Sequence, residues 1–269
     1  MSKISPESNV LEKIADTVRQ RLIEAQARVS SSELQEEWQI RKPKPKDLTR
    51  IFAEPGFHII AEVKKASPSQ GGICLEIDHR LVANEYLANG AAALSILTEP
   101  VYFKGHIDYL KDIRNDHPHA YILQKDFIID GYQLYEAALA GADAILIIVA
   151  MLGEKEATRL HDIAHQIGLS ALVEVHNAEE LEIAKRMGAK LIGVNNRDLK
   201  DLSISLEVSR SLIHDMPLGV IAIAESGIKT HADLRELCSV GYRGFLVGTH
   251  LMQDGTPGQA LKGLLQHAD

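Results

Sequence analysis

The sequence predicts an α/β fold: a closed (β/α)8 barrel, the TIM barrel, with a helical N-terminal extension. Eight short apolar runs alternate with helical patterns from residue 57 onward, as expected when a helix follows each strand of a parallel sheet. The chain has 269 residues, a length that suits one such barrel. A glycine also recurs at intervals of roughly 50 residues between a helical pattern and the next apolar run, which fits a repeated unit of two strand–helix pairs. These glycines are Gly90, Gly141, Gly188 and Gly241.

Each apolar run has the length and composition of a buried parallel strand. The runs cover residues 58–63, 92–97, 121–124, 144–149, 169–173, 191–194, 220–224 and 244–247. Between them, apolar residues spaced three and four apart predict helices over residues 79–89, 131–140, 154–167, 178–187 and 231–240. A doubly wound open sheet is the alternative, but no glycine-rich dinucleotide turn follows any of the runs.

The N-terminal part has a different pattern. Apolar residues at helical spacing predict a helix over residues 10–28, and the Lys-Pro-Lys-Pro-Lys segment at 42–46 interrupts the pattern. We interpret that segment as a solvated linker rather than a basic patch, because the chain as a whole is acidic. The predicted organisation is a helical extension, residues 1–50, packed on a barrel, residues 51–269, with one structural domain overall.

The composition narrows the function classes. The net charge of −8 and the pI of about 5.8 argue against nucleic acid or an anionic membrane as a partner. Cys74 and Cys238 are too few for a disulfide framework or a zinc pattern. The polar N-terminus lacks the apolar core of a secretion signal, and no apolar run reaches the roughly 18 residues of a membrane span. We expect a cytoplasmic monomer.

In (β/α)8 barrels the chemistry takes place at the carboxyl ends of the strands. Six of the eight runs end in polar residues or a glycine turn. These residues are Glu62 and Lys64, Lys125, Glu174, Asn195 and Arg197, Glu225 and Ser226, and Gly248 with Thr249. They bring acids, bases and an amide into one predicted pocket.

The first of these strand ends carries the most information. Glu62 and Lys64 are two residues apart and therefore point to the same face of a strand. Burying both charges is costly unless they pair or take part in chemistry. A surface ion pair is the simpler alternative for these two residues alone, but the convergence of five further strand ends favours a catalytic site.

Small residues near the last two strand ends predict a phosphate site. Ser226-Gly227 and Gly248-Thr249 offer backbone N–H groups in the loops where these barrels often bind phosphate. Ser67, in the turn after the first strand, adds a hydroxyl. Glycine turns also serve geometry alone, so the prediction depends on all three features together.

Five motifs in this order resemble the indole-3-glycerol phosphate synthase family, over nearly the whole chain. The motifs are Ile60-Ala61-Glu62-Val63-Lys64-Lys65-Ala66-Ser67-Pro68-Ser69, Leu123-Gln124-Lys125-Asp126-Phe127-Ile128, Leu172-Val173-Glu174-Val175-His176, Ile192-Gly193-Val194-Asn195-Asn196-Arg197-Asp198-Leu199 and Ala224-Glu225-Ser226-Gly227-Ile228. The resemblance implies catalytic roles for Glu62, Lys64, Lys125, Glu174, Asn195 and Glu225. It implies substrate contacts for Ser67, Arg197 and Ser226, and phosphate contacts near Gly227, Gly248 and Thr249. One departure is Thr249-His250, where the family has Glu or Ser and a small residue; the role of His250 is open.

The reaction implied by the resemblance is closure of an indole ring. The substrate, 1-(2-carboxyphenylamino)-1-deoxyribulose 5-phosphate, loses CO2 and water and gives indole-3-glycerol phosphate in tryptophan biosynthesis. This is the activity of a carbon–carbon lyase (carboxy-lyase), and acid–base and electrostatic catalysis suffice for it, so we expect no metal and no cofactor. Lys125 is our choice of general acid, with Lys64 as partner or rival.

Two other functions fit the same residues less well. An aldolase-like barrel would use Lys64 or Lys125 as a Schiff base. A phosphosugar-binding barrel without activity would not need two lysines and three glutamates in one pocket.

Overall fold

Eight parallel strands close into a barrel. The computed structural model describes residues 10–67, 71–72, 76–199, 201–253 and 255–266, without the side chains of residues 10 and 67. Each barrel strand pairs with the next in the chain, and the last pairs with the first. The strands are β1 (His58–Val63), β2 (Ala93–Leu97), β3 (Ile122–Lys125), β4 (Ala144–Ile148), β5 (Ser170–Val175), β6 (Leu191–Asn195), β7 (Ile221–Glu225) and β8 (Gly244–Val247).

The helices form a layer around the barrel, because each parallel connection must cross from one end of the sheet to the other. The helices are α1 (Val10–Arg28), α2 (Ser31–Arg41), α3 (His79–Ala88), α4 (Ile107–Asp116), α5 (Gly131–Ala140), α6 (Val149–Gln166), α7 (Ala178–Arg186), α8 (Glu207–Leu212), α9 (His231–Val240), α10 (Thr249–Met252) and α11 (Pro257–Leu265). The predicted (β/α)8 barrel with an N-terminal helix is confirmed. Within the described residues, no helix is both long enough and apolar enough to cross a membrane.

The alternation of side chains along each strand produces two apolar cores. In β1, Ile59 and Ala61 point outward and pack in the cluster between strands and helices, whereas Ile60 points into the barrel. The inner cluster also contains Leu48 and Phe52. These two belong to a 3-10 helix, Leu48–Phe52, which the sequence did not predict because five residues are too few to show a period.

This 3-10 helix packs into the barrel interior with the residues at the amino ends of the strands. A Cβ at Gly244, the first residue of β8, would lie 2.5 Å from the Phe52 ring. The glycine therefore makes room for the phenylalanine. The division of the chain at residue 50 stays a prediction, and this segment spans it.

The N-terminal helices pack on the outside of the barrel near the carboxyl ends of the strands. Ile14, Val18 and Leu22 of α1 form a buried cluster with Leu34 of α2 and Tyr132 of α5. Helix α2 begins with a capping box between Ser30 and Glu33, a signal present in the sequence but not used in the prediction. The extension thus buries an apolar face of its own against α5.

The recurring glycines end helices as expected. Gly90, Gly141, Gly188 and Gly241 all have positive φ, between 70° and 125°, where a side chain would be strained. At Gly141 the N–H also donates to the carbonyls of Ala137 and Ala138, which completes the end of α5. Gly141 therefore has both a conformational and a packing reason to lack a side chain, since a Cβ there would lie 2.7 Å from Arg114 Cγ.

We predict that Gly141→Ala lowers the free energy of unfolding by about 1–3 kcal/mol, the usual cost of a strained backbone position. The matched control is Gly263→Ala in α11, where a Cβ would meet no atom within 4 Å. That variant should be neutral or up to about 1 kcal/mol more stable, because alanine favours a helix. Urea unfolding of both variants measures the difference, and equal stability of the two would contradict the prediction.

Candidate active site

A cavity of about 340 Å³ opens at the carboxyl ends of the barrel strands. All eight strands or the loops that follow them contribute to its wall, as the fold predicts. Of the twelve site residues predicted from the sequence, eleven line this cavity: Glu62, Lys64, Lys125, Glu174, Asn195, Arg197, Glu225, Ser226, Gly227, Gly248 and Thr249. The twelfth is Ser67, whose side chain lies outside the described part of the chain, as do Pro68 and Ser69 of the same motif.

Lys125 lies at the centre of the charged part of the cavity. Its Nζ is 2.8 Å from Glu225 Oε2 and 3.2 Å from Glu174 Oε2. The three side chains come from β3, β5 and β7, and all are largely buried. Alternate strands of a (β/α)8 barrel point their side chains into the same layer, which explains why these three meet.

Burial and pairing set the protonation of this cluster. Burial disfavours the charge on Lys125, but the carboxylates of Glu225 and Glu174 outweigh burial and raise the pKa of the lysine. Burial also opposes ionisation of Glu174, yet Lys125 and His176 hold its pKa below the ordinary range. Burial raises the pKa of Glu225 to about 7, because Lys125 offsets only part of the cost and Glu174 adds repulsion. The two carboxylates on one lysine therefore differ: Glu174 is ionised, and Glu225 can exchange a proton near neutral pH.

The geometry around Glu225 agrees with its raised pKa. One of its oxygens binds Lys125, while Oε1 is buried with no hydrogen-bond partner in the described structure. A Cβ added to Gly193 of the neighbouring strand β6 would collide with this Oε1. Gly193 thus leaves space for the carboxyl group of Glu225.

Glu62 and Lys64 form a second ion pair in the same cavity. Lys64 Nζ is 2.6 Å from Glu62 Oε1 and 3.5 Å from the hydroxyl of Thr249. A Cβ at Gly248 would collide with Glu62. Gly248 therefore has a packing reason to lack a side chain, since the glycine accommodates the Glu62 carboxylate. The predicted phosphate contact near Gly248 stays a prediction.

Asn195 and Arg197 extend the site from the end of β6. The Asn195 Oδ1 accepts a hydrogen bond from the Arg197 N–H at 3.1 Å, and the Arg197 guanidinium donates to the carbonyl of Leu202. Among the described residues, no carboxylate forms an ion pair with Arg197. Its charge can therefore serve an anionic group of a ligand.

Asn196, between those two residues, has a structural role. It is buried, and its amide donates to the backbone carbonyls of Glu225 and Ser226. It fixes the turn after β7, in which Ser226 has a φ of 64° and Gly227 one of 84°. The sequence analysis identified its motif but assigned no role to it.

An apolar wall completes the cavity, and the sequence analysis missed it. Leu97 ends β2 and Ile148 ends β4, the two strands from which no site residue was predicted. Phe103 and Phe127 lie beside them with ring centroids 5.9 Å apart. The positions of Leu97 and Ile148 at strand ends could have revealed them, because the carboxyl ends of all eight strands face the same pocket. Other lining residues without a predicted role include Leu11 and Ile14 of α1, Lys229, His250 and Gln253.

His176 contacts Glu174 from outside the cavity, and it is another residue for which no role was predicted. Its Nε2 is 3.3 Å from Glu174 Oε1, an ion-pair contact without the geometry of a hydrogen bond. Its Nδ1 is 3.0 Å from Glu180 Oε2. Burial opposes the imidazolium, but the two carboxylates prevail and raise the pKa of His176 to about 10.

Comparison with known proteins identifies the family of the chain. The family model described as indole-3-glycerol phosphate synthase matches residues 11–264. The chain belongs to the indole-3-glycerol phosphate synthase family. A relative of that name from Carboxydothermus hydrogenoformans is 40% identical over 264 residues, which cover 95% of this chain and 99% of the relative. Another from Lachnoclostridium phytofermentans is 44% identical over 203 residues, 76% of this chain and 74% of the relative. The chain is accordingly an enzyme, a carboxy-lyase of tryptophan biosynthesis.

Solved structures with low identity share the barrel. The 3-hexulose-6-phosphate synthase from Salmonella typhimurium superimposes with a TM-score of 0.63 at 11% identity, covering 78% of this chain and 97% of that one. A tryptophan synthase α-subunit variant from Pyrococcus furiosus gives a TM-score of 0.58 at 15% identity, with 77% and 97% covered. At these identities the likeness shows the fold alone.

We predict that Gly193→Ala lowers kcat at least about tenfold, because the new methyl group displaces Glu225 from Lys125 and a small misplacement of a catalytic group is costly. The same displacement breaks a buried ion pair, so the melting temperature should fall as well. Gly263→Ala serves again as the control for the substitution type. A Gly193→Ala enzyme with unaltered kcat would show that the position of Glu225 is not critical.

Proposed function

We propose that the cavity closes the indole ring of 1-(2-carboxyphenylamino)-1-deoxyribulose 5-phosphate, with loss of CO2 and water, by general acid–base catalysis from this chain's own side chains. The observation that carries the proposal is the contact of Lys125 with both Glu174 and Glu225 on one side of the cavity. A proton donor and a proton acceptor are there within reach of the same ligand atoms. The apolar residues beside this cluster suit an aromatic ring, and the volume of about 340 Å³ is at the lower end for small-molecule sites.

The first step forms a carbon–carbon bond. The aromatic carbon that carries the carboxylate attacks the ketone carbon of the ribulose, and Lys125 donates a proton to the ketone oxygen. The C–CO2 bond then breaks, and its electron pair restores the aromatic ring. An enclosed ammonium stabilises the negative charge that develops on oxygen, which is where most of the rate enhancement would arise.

The second step removes water. The nitrogen lone pair, acting through the aromatic ring, expels the new hydroxyl group, which takes a proton from Lys64, the second ammonium of the cavity, and leaves as water. A proton is then lost from the adjacent methylene to form the double bond of the indole. Glu174 is our proposed acceptor of that proton, since its lowered pKa keeps it ionised. Asn195 orients a substrate hydroxyl, and Glu62 and Glu225 hold the lysines in place.

The raised pKa of Lys125 keeps it protonated at neutral pH, as an acid must be, but it also makes proton release harder. Protonation of Glu225, whose pKa is about 7, removes one negative neighbour and makes Lys125 a stronger acid. Lys64, paired with Glu62 alone, is the rival donor. The aldolase-like alternative remains testable by borohydride reduction, which traps a Schiff base.

The anionic ends of the substrate have two candidate binding regions. Arg197, which pairs with no carboxylate in the described residues, suits an anionic group. The first N–H groups of α10 follow Gly248 and lack partners within their own helix, and the turn at Ser226-Gly227 lies nearby in the cavity wall. We assign the phosphate to these backbone groups, with Ser67 as a further contact.

A cytoplasmic monomer remains our proposal for the state of the enzyme. The free thiol of Cys238 supports a reducing compartment. The closed barrel, in which every strand is paired on both sides, supports a single chain as the folding unit. Sedimentation equilibrium of the purified protein measures the oligomeric state directly.

We predict that Lys125→Met lowers kcat about a hundredfold or more while the fold is retained, as removal of a general acid usually does. Lys111→Met on the exposed face of α4 is the control for the substitution type and should leave kcat unchanged. The assay follows indole fluorescence from the anilino-ribulose phosphate. Near-normal kcat in Lys125→Met, together with inactivity of Lys64→Met, would show that the general acid is Lys64 and not Lys125.

We also predict that inorganic phosphate and sulfate compete with the substrate and raise the melting temperature. A ligand that binds only the native state stabilises it by about 2.7 kcal/mol at a hundred times its dissociation constant. Arg197→Gln should raise KM more than it lowers kcat, because it removes a binding contact. The absence of both competition and thermal stabilisation would refute the phosphate assignment.

A further inference from the structure

A row of charged side chains runs from α7 into the catalytic cavity. It begins at Glu180 in the first turn of α7, continues through His176 and Glu174 at the end of β5, and reaches Lys125 and Glu225. Neighbours along the row differ in charge. His176 itself does not belong to the cavity wall formed by the described residues, so it acts on a ligand only through Glu174.

Glu180 fixes the outer end of this row. One of its oxygens accepts hydrogen bonds from the backbone N–H of His176 at 2.8 Å and from its Nδ1 at 3.0 Å. The other oxygen accepts from the side-chain amide of Asn177 at 2.7 Å. Three bonds to a carboxylate at a helix N-terminus leave it little freedom, and the helix dipole favours its charge. The imidazole ring is therefore held in one orientation.

The inner end of the row determines the charge and the orientation of the Glu174 carboxylate. Its Oε2 faces Lys125 at 3.2 Å and its Oε1 faces His176 Nε2 at 3.3 Å, so each oxygen has its own cation. The other groups that act on this carboxylate are Asn195, which favours its charge, and Glu225, which repels it. Two cations on two oxygens fix the plane of the carboxylate as well as its charge.

We propose that His176, backed by Glu180, is a positioning residue that holds Glu174 ionised and oriented for proton transfer. The proposal rests on the role proposed above for Glu174. When Lys125 gives its proton to the substrate, Glu174 loses one of its two cations. His176 then remains as the charge that keeps the carboxylate ready to accept the second proton. The raised pKa of the histidine agrees with a permanent imidazolium at neutral pH.

Two variants test the row at different points. His176→Gln removes the cation, and Glu180→Gln removes the outer negative charge but keeps an oxygen for the backbone N–H of His176. The matched control is His79→Gln. His79 also pairs with a carboxylate, Asp112 at 2.9 Å, but on the outside of the barrel between α3 and α4. The measurements are kcat, KM, the melting temperature and a carboxyl carbon-13 titration of Glu174, assigned by comparison with Glu174→Gln.

In both variants we expect kcat to fall about ten- to a hundredfold with KM little changed, the cost of a misplaced catalytic group. The titration midpoint of Glu174 should move upward by about one pH unit in His176→Gln, because an opposite charge at this distance is lost. His79→Gln should change neither quantity. If His176→Gln does not fold, Glu180→Gln decides: its kcat should fall, and the titration midpoint of His176 should move downward because the imidazolium loses one of its carboxylate partners.

An unchanged kcat in folded His176→Gln and Glu180→Gln would overturn the proposal. A lower kcat in His176→Gln without a shift in the Glu174 titration would also overturn it, because the loss would then come from general destabilisation. Glu174→Gln separates this inference from the proposed function. If that variant keeps its kcat, the role of Glu174 itself is wrong; if it loses kcat while the histidine variants do not, only the role of His176 is wrong.

Discussion

The buried ion-pair cluster around Lys125 is the constraint on which the rest of the site depends. Several charged side chains lie together in a cavity with an apolar wall, and such burial is unfavourable unless each charge has a partner. The barrel supplies the partners because strands β3, β5 and β7 carry these side chains at or next to their carboxyl ends, in one layer. Three of the five charged groups in the row from Glu180 to Glu225 are carboxylates. Their negative charges raise the pKa values of Lys125 and His176, which therefore retain their protons.

Glycines next to the carboxylates are part of the same constraint. Gly193 lies within β6 beside Glu225, and Gly248 follows β8 beside Glu62; in both places a methyl group would collide with a carboxylate oxygen. A closed barrel has a fixed interior, so a large functional side chain requires a small neighbour. The small residue at Gly248 thus has a packing reason that is independent of any ligand.

The sequence was sufficient for the barrel and for the charged half of the site. Apolar runs separated by helical patterns predicted eight strands, and six strand ends predicted eleven residues that the cavity brings together. Strand boundaries differ by one or two residues, as at β3 and β5, because backbone pairing continues past the apolar stretch into Lys125 and Val175. The 3-10 helix at 48–52 was too short to show a period.

The unpredicted parts of the site depend on distances between segments that are far apart in the chain. His176 and Glu180 are close in sequence, but only the bend from β5 into α7 makes one ring face two carboxylates. Leu97 and Ile148 look like ordinary core residues, since an apolar side chain at a strand end has the same pattern whether it faces a ligand or a neighbour. Polar residues in an apolar context can be recognised by their type, whereas apolar lining residues can be recognised only by their position at a strand end.

The N-terminal extension is connected to the catalytic strand through the residue that follows Lys125. Strand alternation turns Lys125 into the barrel and Asp126 away from it, toward α1. There, Asp126 accepts from Arg21 at 2.9 Å, from the Thr98 hydroxyl at 2.6 Å and from the N–H of Phe127 at 2.8 Å. The same aspartate thus holds α1, the loop after β2 and the start of the apolar wall. Since Leu11 and Ile14 of α1 also line the cavity, docking of α1 is coupled to the geometry of the site through the residue next to Lys125.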